Sequence, residues 1–184
     1  MTQNKATQEL KRVLITEETF ALADAVMREA FPDSEIRSCA AQKALLQEKE
    51  YCLYGYFTEE GNCEAILGMW RFSDFLYLEH LAVSPVCRGG GMGRKILEEV
   101  QKEGMPMLLE VEPPETEISK RRIGFYERIG LQLNSYSYMQ PALQAGQKPI
   151  PLLLMTFGEK MDETTFQKRK DILYRHVYKC QDIL

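Results

Sequence analysis

Positive charge and long apolar runs are scarce in this sequence. Its 184 residues hold 23 lysines and arginines against 27 aspartates and glutamates, a formal net charge of −4 with a pI near 5.4. Because phosphate backbones are bound by clustered positive charge, this balance argues against nucleic acid as the main partner and suits a cationic or neutral substrate. No apolar stretch approaches the roughly 20 residues that a membrane span needs, so we expect no membrane insertion.

The cysteines are few and do not form pairs. There are five of them, an odd number, and no CxxC motif occurs. Structural zinc sites and dithiol redox centres use closely spaced pairs, so we expect reduced thiols and no metal. The first ten residues also lack the apolar core of a secretion signal. These features predict a soluble, cytoplasmic protein.

The composition is that of a folded globular protein. Hydrophobic residues make up 45% of the chain and charged residues 27%. The length fits one domain, with no linker or low-complexity tract inside it. We therefore predict a single domain over residues 1–184, in which residues 158–184 form a helical extension.

Helix-like and strand-like patterns alternate along the chain and predict an α/β (α+β) fold. The strand-like runs should build a mixed, mostly antiparallel sheet of six or seven strands, flanked by helices. Runs typical of strands lie at residues 11–15, 51–58, 65–72, 75–83, 107–111, 133–139 and 152–157. Helical spacing predicts helices from a cap at Thr16 to about 30, from Asp33 or Ser34 to about 49, from 92 to 103, over 118–129 and over 162–179.

Residues 78–94 are the most informative stretch, a strand that passes through a glycine-rich turn into a helix. Glycines let the backbone approach a phosphate closely, and the N-terminus of the helix adds free N–H groups and a favourable dipole. A dinucleotide fingerprint would need its third glycine where Arg94 or Ile96 stands, and no Gly-Lys-Ser/Thr of a Walker loop follows. The pattern predicts an anion-binding turn, and a flexible turn without a ligand is the alternative.

Two blocks in this sequence resemble the GNAT superfamily of N-acetyltransferases. The run Arg88-Gly89-Gly90-Gly91-Met92-Gly93 is similar to the family's Arg/Gln-x-x-Gly-x-Gly/Ala loop, and it follows a strand that ends in Leu81-Ala82-Val83. Residues 123–131 are similar to a second family signature, in which an aromatic pair, here Phe125-Tyr126, precedes Gly130-Leu131. The resemblance covers residues 11–157 in element order. It implies a GNAT-like fold whose sheet splits near Glu79 and near the strand after Pro106 to admit the cofactor.

The resemblance also implies acetyl-CoA as the co-substrate, bound without a metal. The backbone amides of the glycine turn would bind the pyrophosphate, and the end of the preceding strand would pair with the pantetheine arm. Tyr126 would protonate the departing thiolate, a role that suits a phenol with an ordinary pKa near 10. A core aromatic is the alternative for Tyr126. The implied cofactor-binding residues are Leu81, Ala82, Val83, Arg88, Gly89, Gly90, Gly91, Met92, Gly93 and Arg94.

An amine acceptor must lose a proton before it attacks, so a base is needed. Glu79 is the candidate, while Tyr77 or a water is an alternative base and a salt-bridged strand glutamate is the structural alternative. Strand alternation places Glu79 and Tyr77 on one face and His80 on the other, so we expect a structural role for His80.

These roles predict direct transfer of an acetyl group from acetyl-CoA to a primary amine of a small molecule or peptide. A non-catalytic CoA-binding sensor or interaction module on the same fold is the alternative. The sequence leaves open the acceptor, a homodimer, and whether the C-terminal helix is a packed cap or an oligomerisation element. Residues that could shape an acceptor cleft are Glu110 and Glu112 as its negative charge and Tyr56 and Trp70 as its walls.

Overall fold

The structure is a computed structural model that describes residues 10–180. The predictions for residues 1–9, and for residues 181–184 of the expected extension, lie outside this range. Within the described range the protein is α/β, with eight strands in a mostly antiparallel sheet and five α-helices. The strands are β1 (Lys11–Leu14), β2 (Tyr51–Phe57), β3 (Cys63–Arg71), β4 (Leu76–Val83), β5 (Met107–Val111), β6 (Leu131–Leu133), β7 (Tyr138–Gln140) and β8 (Ile150–Phe157). The helices are α1 (Phe20–Ala30), α2 (Cys39–Ala44), α3 (Met92–Gln101), α4 (Glu117–Glu127) and α5 (Glu163–Ile172).

The chain forms two compact units. Among the described residues, the first comprises 10–69 and Glu79–Val100, and the second comprises Trp70–Leu78 and 101–180. The prediction of a single domain with a C-terminal extension stays a prediction.

The first unit holds β1 to β3, the end of β4, and the helices α1 to α3. β1 pairs antiparallel with β2, from Lys11 opposite Phe57 to Leu14 opposite Tyr54, and β3 and then β4 follow in the sheet. The apolar residues on one face of α1 recur every three or four positions and are buried, as in an amphipathic helix. The buried apolar residues of the two long helices are Phe20, Ala23, Val26 and Met27 in α1, and Ile96, Leu97 and Val100 in α3.

The single helix predicted up to residue 49 is wrong. One 3₁₀ turn covers Asp33–Glu35, the backbone is then extended at Ile36, and α2 begins only after Ser38. The Oγ of Ser38 accepts a hydrogen bond from the N–H of Ala41 at 3.3 Å, which caps the start of α2. A serine inside the predicted helix thus starts a new one, and the extended residues before it let Arg37 point into the core.

The second unit is built around β5 and β8. The start of β4 runs parallel to β5, with Leu76 opposite Met107 and Leu78 opposite Leu109. β5 pairs antiparallel with β8, which also pairs with β6 and β7. In this unit the pairing of β4 with β5 is parallel, and the pairings of β8 with β5, β6 and β7 are antiparallel. This combination agrees with the predicted mixed sheet.

The single strand predicted at residues 133–139 is two short strands, β6 and β7, which raises the strand number to eight. Asn134 lies directly after β6 and is almost fully buried. Its side-chain Nδ2 donates to the carbonyl of Leu154 at 3.1 Å, and its Oδ1 accepts from the backbone N–H of Met161 at 2.8 Å. These bonds satisfy backbone groups that a continuous strand would otherwise pair, so the chain can turn there.

The C-terminal helix packs on the second unit, as a cap rather than a projecting element. α5 starts at Asp162, whose carboxylate accepts from the N–H of Thr165 at 2.7 Å, and it continues as a π-helix over Leu173–Val177. Phe166, Leu173 and Val177 of this segment are each buried. Between residues 10 and 180, no helix is both long and apolar enough to cross a membrane.

Candidate active site

The glycine turn lies between β4 and α3 in the first unit. Gly89 and Gly91 have φ values of 81° and 77°, a left-handed conformation that residues with a Cβ rarely adopt. The N–H of Lys95 bonds to the carbonyl of Gly91 at 3.0 Å, so the earlier N–H groups of this helix start have no partner within the helix. Successive N–H groups beside left-handed glycines form a concave anion site.

The space in front of the turn is open. A Cβ built on Gly89 or on Gly91 would meet no atom within 4 Å, and one on Gly90 would meet only the carbonyl of Cys87 at 3.5 Å. The turn therefore has both the donors and the room that a phosphate group requires.

Glu64 of β3 accepts hydrogen bonds that fix the start of the turn. Its backbone carbonyl accepts from the N–H of Ser84 at 2.8 Å, and its carboxylate accepts from the hydroxyl of Ser84. The thiol of Cys87 donates to the same carboxylate at 3.7 Å. This cysteine, which borders the turn, thus has a structural hydrogen bond.

The two arginines of the motif have partners near the turn. Arg88 is exposed and donates from Nε to the carbonyl of Val83 at 3.0 Å. Arg94 forms an ion pair with Glu98, one turn along α3, at 2.7 Å. Both guanidinium groups stay on the surface, where they add positive charge beside the turn.

Glu79 forms a buried ion pair with Arg37. The Nη1 atom of Arg37 lies 2.5 Å from Oε1 of Glu79, and the two side chains are only 7% and 4% exposed. Arg37 is held in turn, since its carbonyl accepts from Arg28 at 3.2 Å. The salt-bridged alternative for Glu79 is therefore the state of this structure, and the guanidinium stabilises the negative charge of the carboxylate.

His80 is 2% exposed and packs edge-on against Phe31 at the end of α1, with ring centroids 5.0 Å apart. Its Nε2 lies 3.3 Å from the carbonyl oxygen of Glu35, and its Nδ1 lies 3.9 Å from Oε2 of Glu79. Burial lowers the pKa of His80, the charge of Glu79 raises it, and Arg37 lowers it again. The imidazole is thus neutral at neutral pH and closer to Glu79 than strand alternation suggested.

A buried hydroxyl completes this cluster of the first unit. The amide of Gln42 donates to Oη of Tyr51 at 2.9 Å. A Cβ on Gly68 would lie 2.8 Å from that hydroxyl and 3.5 Å from Nδ1 of His80, so a side chain at position 68 would displace the hydroxyl. Burial raises the pKa of Tyr51 and the charge of Glu79 raises it further, which keeps the phenol neutral.

Tyr126 lies on α4 in the second unit and is half-buried. Its ring packs edge-on against Phe125, with centroids 5.2 Å apart. Burial raises the pKa of its phenol, while the positive charge of Arg122 lowers it by less. The hydroxyl is therefore protonated at neutral pH, as a proton donor must be.

The expected acceptor-cleft residues are all engaged in contacts. Glu110 accepts hydrogen bonds from the hydroxyl of Tyr138 and from that of Tyr178, the latter at 2.7 and 2.9 Å to its two oxygens. Because Tyr178 donates to Glu110, its oxygen accepts from Tyr77 at 3.0 Å. Two hydroxyls thus donate to one carboxylate in the second unit, and the hydroxyl of Tyr77 is linked to it through Tyr178. The other three candidates also have partners. Glu112 forms an ion pair with Arg122 at 2.5 Å, and the hydroxyl of Tyr56 lies 3.5 Å from Glu99. Trp70 is buried, and the ammonium of Lys179 lies over its ring.

Residues 49–132 match the family model described as "Acetyltransferase (GNAT) domain". This range contains both the glycine turn and Tyr126. Together with the fold, the match places residues 49–132 in the GNAT superfamily of acetyltransferases.

Known proteins agree with this assignment. The chain is 36% identical over 104 residues to a putative acetyltransferase, YjbC, of Bacillus subtilis, a match that covers 55% of this chain and about half, 52%, of that protein. A putative GNAT acetyltransferase from Bacteroides thetaiotaomicron is 28% identical, with a TM-score of 0.85 over 93% of this chain and 99% of that one. The ribosomal-protein-S18-alanine N-acetyltransferase from Escherichia coli is 21% identical, with a TM-score of 0.61 over 83% of this chain and 96% of its own, which shows the same fold.

The sequence did not indicate which residues contact the candidate site from distant positions in the chain. Arg37 and Glu64 contact Glu79 and Ser84 across 42 and 20 positions, and no local pattern marks such pairs. Gln42 lies within the helix predicted up to residue 49, and the helical pattern did not indicate that its side chain is fully buried. One signal was available in the sequence. Within the mostly apolar run that forms β4, a glutamate and a histidine follow each other, at Glu79 and His80.

Proposed function

We propose that this protein transfers the acetyl group of acetyl-CoA directly to a primary amine of a small molecule or peptide. The observation that carries the proposal is the glycine turn, with left-handed Gly89 and Gly91, open space in front of them and the start of α3 behind. Membership of the GNAT superfamily supports the transfer of acyl groups in general.

The residues of the turn fit the pyrophosphate of CoA. The N–H groups from Gly89 to Arg94 are the proposed donors, and the positive charge of Arg88 adds to them. Bound acetyl-CoA would supply a thioester carbonyl as the electrophile. The part of β4 beyond its pairing with β5, at Leu81, Ala82 and Val83, is the proposed backbone partner of the pantetheine arm, although the carbonyl of Val83 already accepts from Arg88.

Tyr126 is the proposed proton donor to the departing thiolate. Its raised pKa supports this role, because the phenol keeps its proton throughout the neutral range. The family motif around it supports the same role.

Glu79 is the proposed base for the acceptor, directly or through a water. Its side chain is almost buried, so the ammonium group must approach closely or pass its proton through a water molecule. The backbone N–H of Leu81 is the proposed donor to the tetrahedral oxyanion. The acceptor is proposed as an amine because similar structures include the ribosomal-protein-S18-alanine N-acetyltransferase and a spermidine N-acetyltransferase, whose names specify N-acetylation. The scattered cysteines suit a reducing cytoplasm, which is the proposed location.

Titration calorimetry with acetyl-CoA tests the proposed turn, using Gly91→Glu and the matched control Gly61→Glu. Both glycines are left-handed, and both have no atom within 4 Å of a built Cβ, so the backbone strain is similar. Only Gly91→Glu places a negative charge in the proposed phosphate site. We expect micromolar binding by the wild type and by Gly61→Glu, and its loss in Gly91→Glu. Equal binding by both variants, or none by folded wild type, would refute the proposed cofactor site.

A further inference from the structure

The surroundings of His80 define which of its ring nitrogens carries hydrogen. Nε2 lies 3.3 Å from the backbone oxygen of Glu35, and a carbonyl can only accept, so Nε2 must be the N–H donor. A neutral imidazole has a single N–H. Nδ1 therefore presents a lone pair, and this atom is buried without a hydrogen-bond partner.

The lone pair of Nδ1 faces a second acceptor. Oε2 of Glu79 is 3.9 Å away, and both side chains are almost fully buried. In the same cluster, Oε1 of Gln42 is also buried without a partner. An unpaired buried polar atom costs about 1–3 kcal/mol. A proton on Nδ1 would satisfy that atom and let it donate toward Oε2 of Glu79, while burial of the charge keeps the resting imidazole neutral.

We propose that His80 is a positioning residue that holds, on Nδ1, the proton that Glu79 removes from the acceptor ammonium. This inference rests on the proposed transfer to an amine. An N–H bond of the acceptor breaks and an O–H bond forms on Glu79, and the proton then moves to Nδ1. Glu79 is again negative, and the imidazolium donates from Nε2 to Glu35 and from Nδ1 to Glu79. After product release the proton returns from Nδ1 through Glu79 to solvent, which restores the neutral imidazole. We call this arrangement the Glu79–His80 relay.

The ion pair with Arg37 explains why a relay is useful. A protonated Glu79 would leave a buried guanidinium without its counter-charge, which is strongly destabilising. Passing the proton to His80 restores the pair. The charged and titratable groups that face the ring are Glu79, which favours the imidazolium, Arg37, which opposes it, and Tyr51, which stays neutral. Behind Arg37, the pair of Arg28 and Asp24 is the next charged group.

His80→Gln separates the relay from a structural role. The glutamine Nε2 can keep the hydrogen bond to the carbonyl of Glu35, while no atom replaces Nδ1. The chain has two histidines, and His176, exposed in the C-terminal segment, provides the matched control His176→Gln. Acetyl transfer to a primary alkylamine is followed as kcat and KM from pH 6 to 10, with KM for acetyl-CoA measured beside it.

At pH 7 we expect His80→Gln to lower kcat about 100-fold, with KM for acetyl-CoA unchanged. The defect should shrink as pH rises, because a growing fraction of the amine arrives without its proton. His176→Gln should match the wild type throughout. A ratio of wild-type to His80→Gln rates that is equal at every pH, or no loss at all, would overturn the relay in an active enzyme. A wild type that binds acetyl-CoA but acetylates no amine would overturn the transfer function and the relay together.

A spectroscopic measurement tests the relay independently of activity. In protein labelled with ¹⁵N-histidine, His176→Gln leaves His80 as the single histidine signal. At neutral pH we expect the tautomer with hydrogen on Nε2 and none on Nδ1. A hydrogen on Nδ1 would overturn the relay whatever the activity, because the atom would have no lone pair to accept a proton.

Discussion

Arg37 and Glu79 form a buried ion pair, 2.5 Å from Nη1 to Oε1, between the loop after α1 and the end of β4. The pair fixes the proposed base in one orientation and keeps its charge inside the first unit. Removing one partner of such a pair leaves the other charge buried and uncompensated. Stability and activity should therefore both depend on Arg37, which the sequence alone did not single out.

Replacing Arg37 by glutamine should lower the free energy of unfolding by about 3–5 kcal/mol. The control is Arg94→Gln, which removes an exposed pair with Glu98 one helical turn away and should cost about 0.5 kcal/mol or less. Denaturant unfolding of both variants measures the difference. Similar stability losses for the two variants would contradict a buried, energetically important Arg37–Glu79 pair.

Tyr126→Phe should lower turnover by about 100-fold and leave acetyl-CoA affinity nearly unchanged, because the proposed proton donor is lost while the ring remains. Phe125, its ring neighbour, has no hydroxyl to lose, so Phe125→Leu serves as a control for altered packing. Steady-state kinetics and calorimetry give the two quantities. Full turnover in Tyr126→Phe would refute the proposed donor role.

Protein stability should fall as pH drops below about 6.5 partly because of His80. Its folded pKa is lowered by burial, so the unfolded chain binds the proton more readily. The contribution of neutral His80 to the free energy of unfolding is fully present above the pKa of the unfolded state. It is lost as pH falls toward the pKa of the folded state, with a slope of at most about 1.4 kcal/mol per pH unit. Unfolding curves between pH 5 and 8 should show a shallower loss for His80→Gln than for the wild type. Parallel curves would contradict a lowered pKa.

Tyr178→Phe should loosen the C-terminal segment, because its hydroxyl donates to the carboxylate of Glu110. A hydrogen bond to a charged group contributes about 1.5–3 kcal/mol, against about 0.5–1.5 kcal/mol for a neutral one. Tyr136→Phe removes a hydroxyl that donates to the neutral carbonyl of Met161 at 3.3 Å and is the matched control. In thermal unfolding, the midpoint temperature of Tyr178→Phe should be lower than that of Tyr136→Phe. The reverse order would contradict the proposed anchoring of the segment at Glu110.

Most of the secondary structure could be predicted from local patterns, and the glycine turn and Tyr126 from the family motif. Periodicity predicted α1 and α3 because one face of each helix is buried. It failed near Ser38 and Asn134, where side chains bond to the backbone and end an element that apolar spacing alone would continue.

The contacts within the candidate site could not be predicted, because they join residues far apart in sequence. Arg37 reaches Glu79 from another element, and Tyr178 reaches Glu110 from the C-terminal segment. Strand alternation placed His80 away from Glu79, yet both side chains are long enough to meet at 3.9 Å. Pattern arguments give the face on which a Cβ lies, whereas the ends of long side chains depend on the packing around them.

The most direct test of the account is to incubate the protein with acetyl-CoA and a primary alkylamine and to quantify both products. We expect free CoA thiol and acetylated amine to appear in equal amounts, with neither formed by Gly91→Glu and both formed by Gly61→Glu. Thiol release without acetylated amine would indicate thioester hydrolysis. The absence of both products with folded wild type, across a panel of primary amines and peptides, would contradict the proposed acetyl transfer.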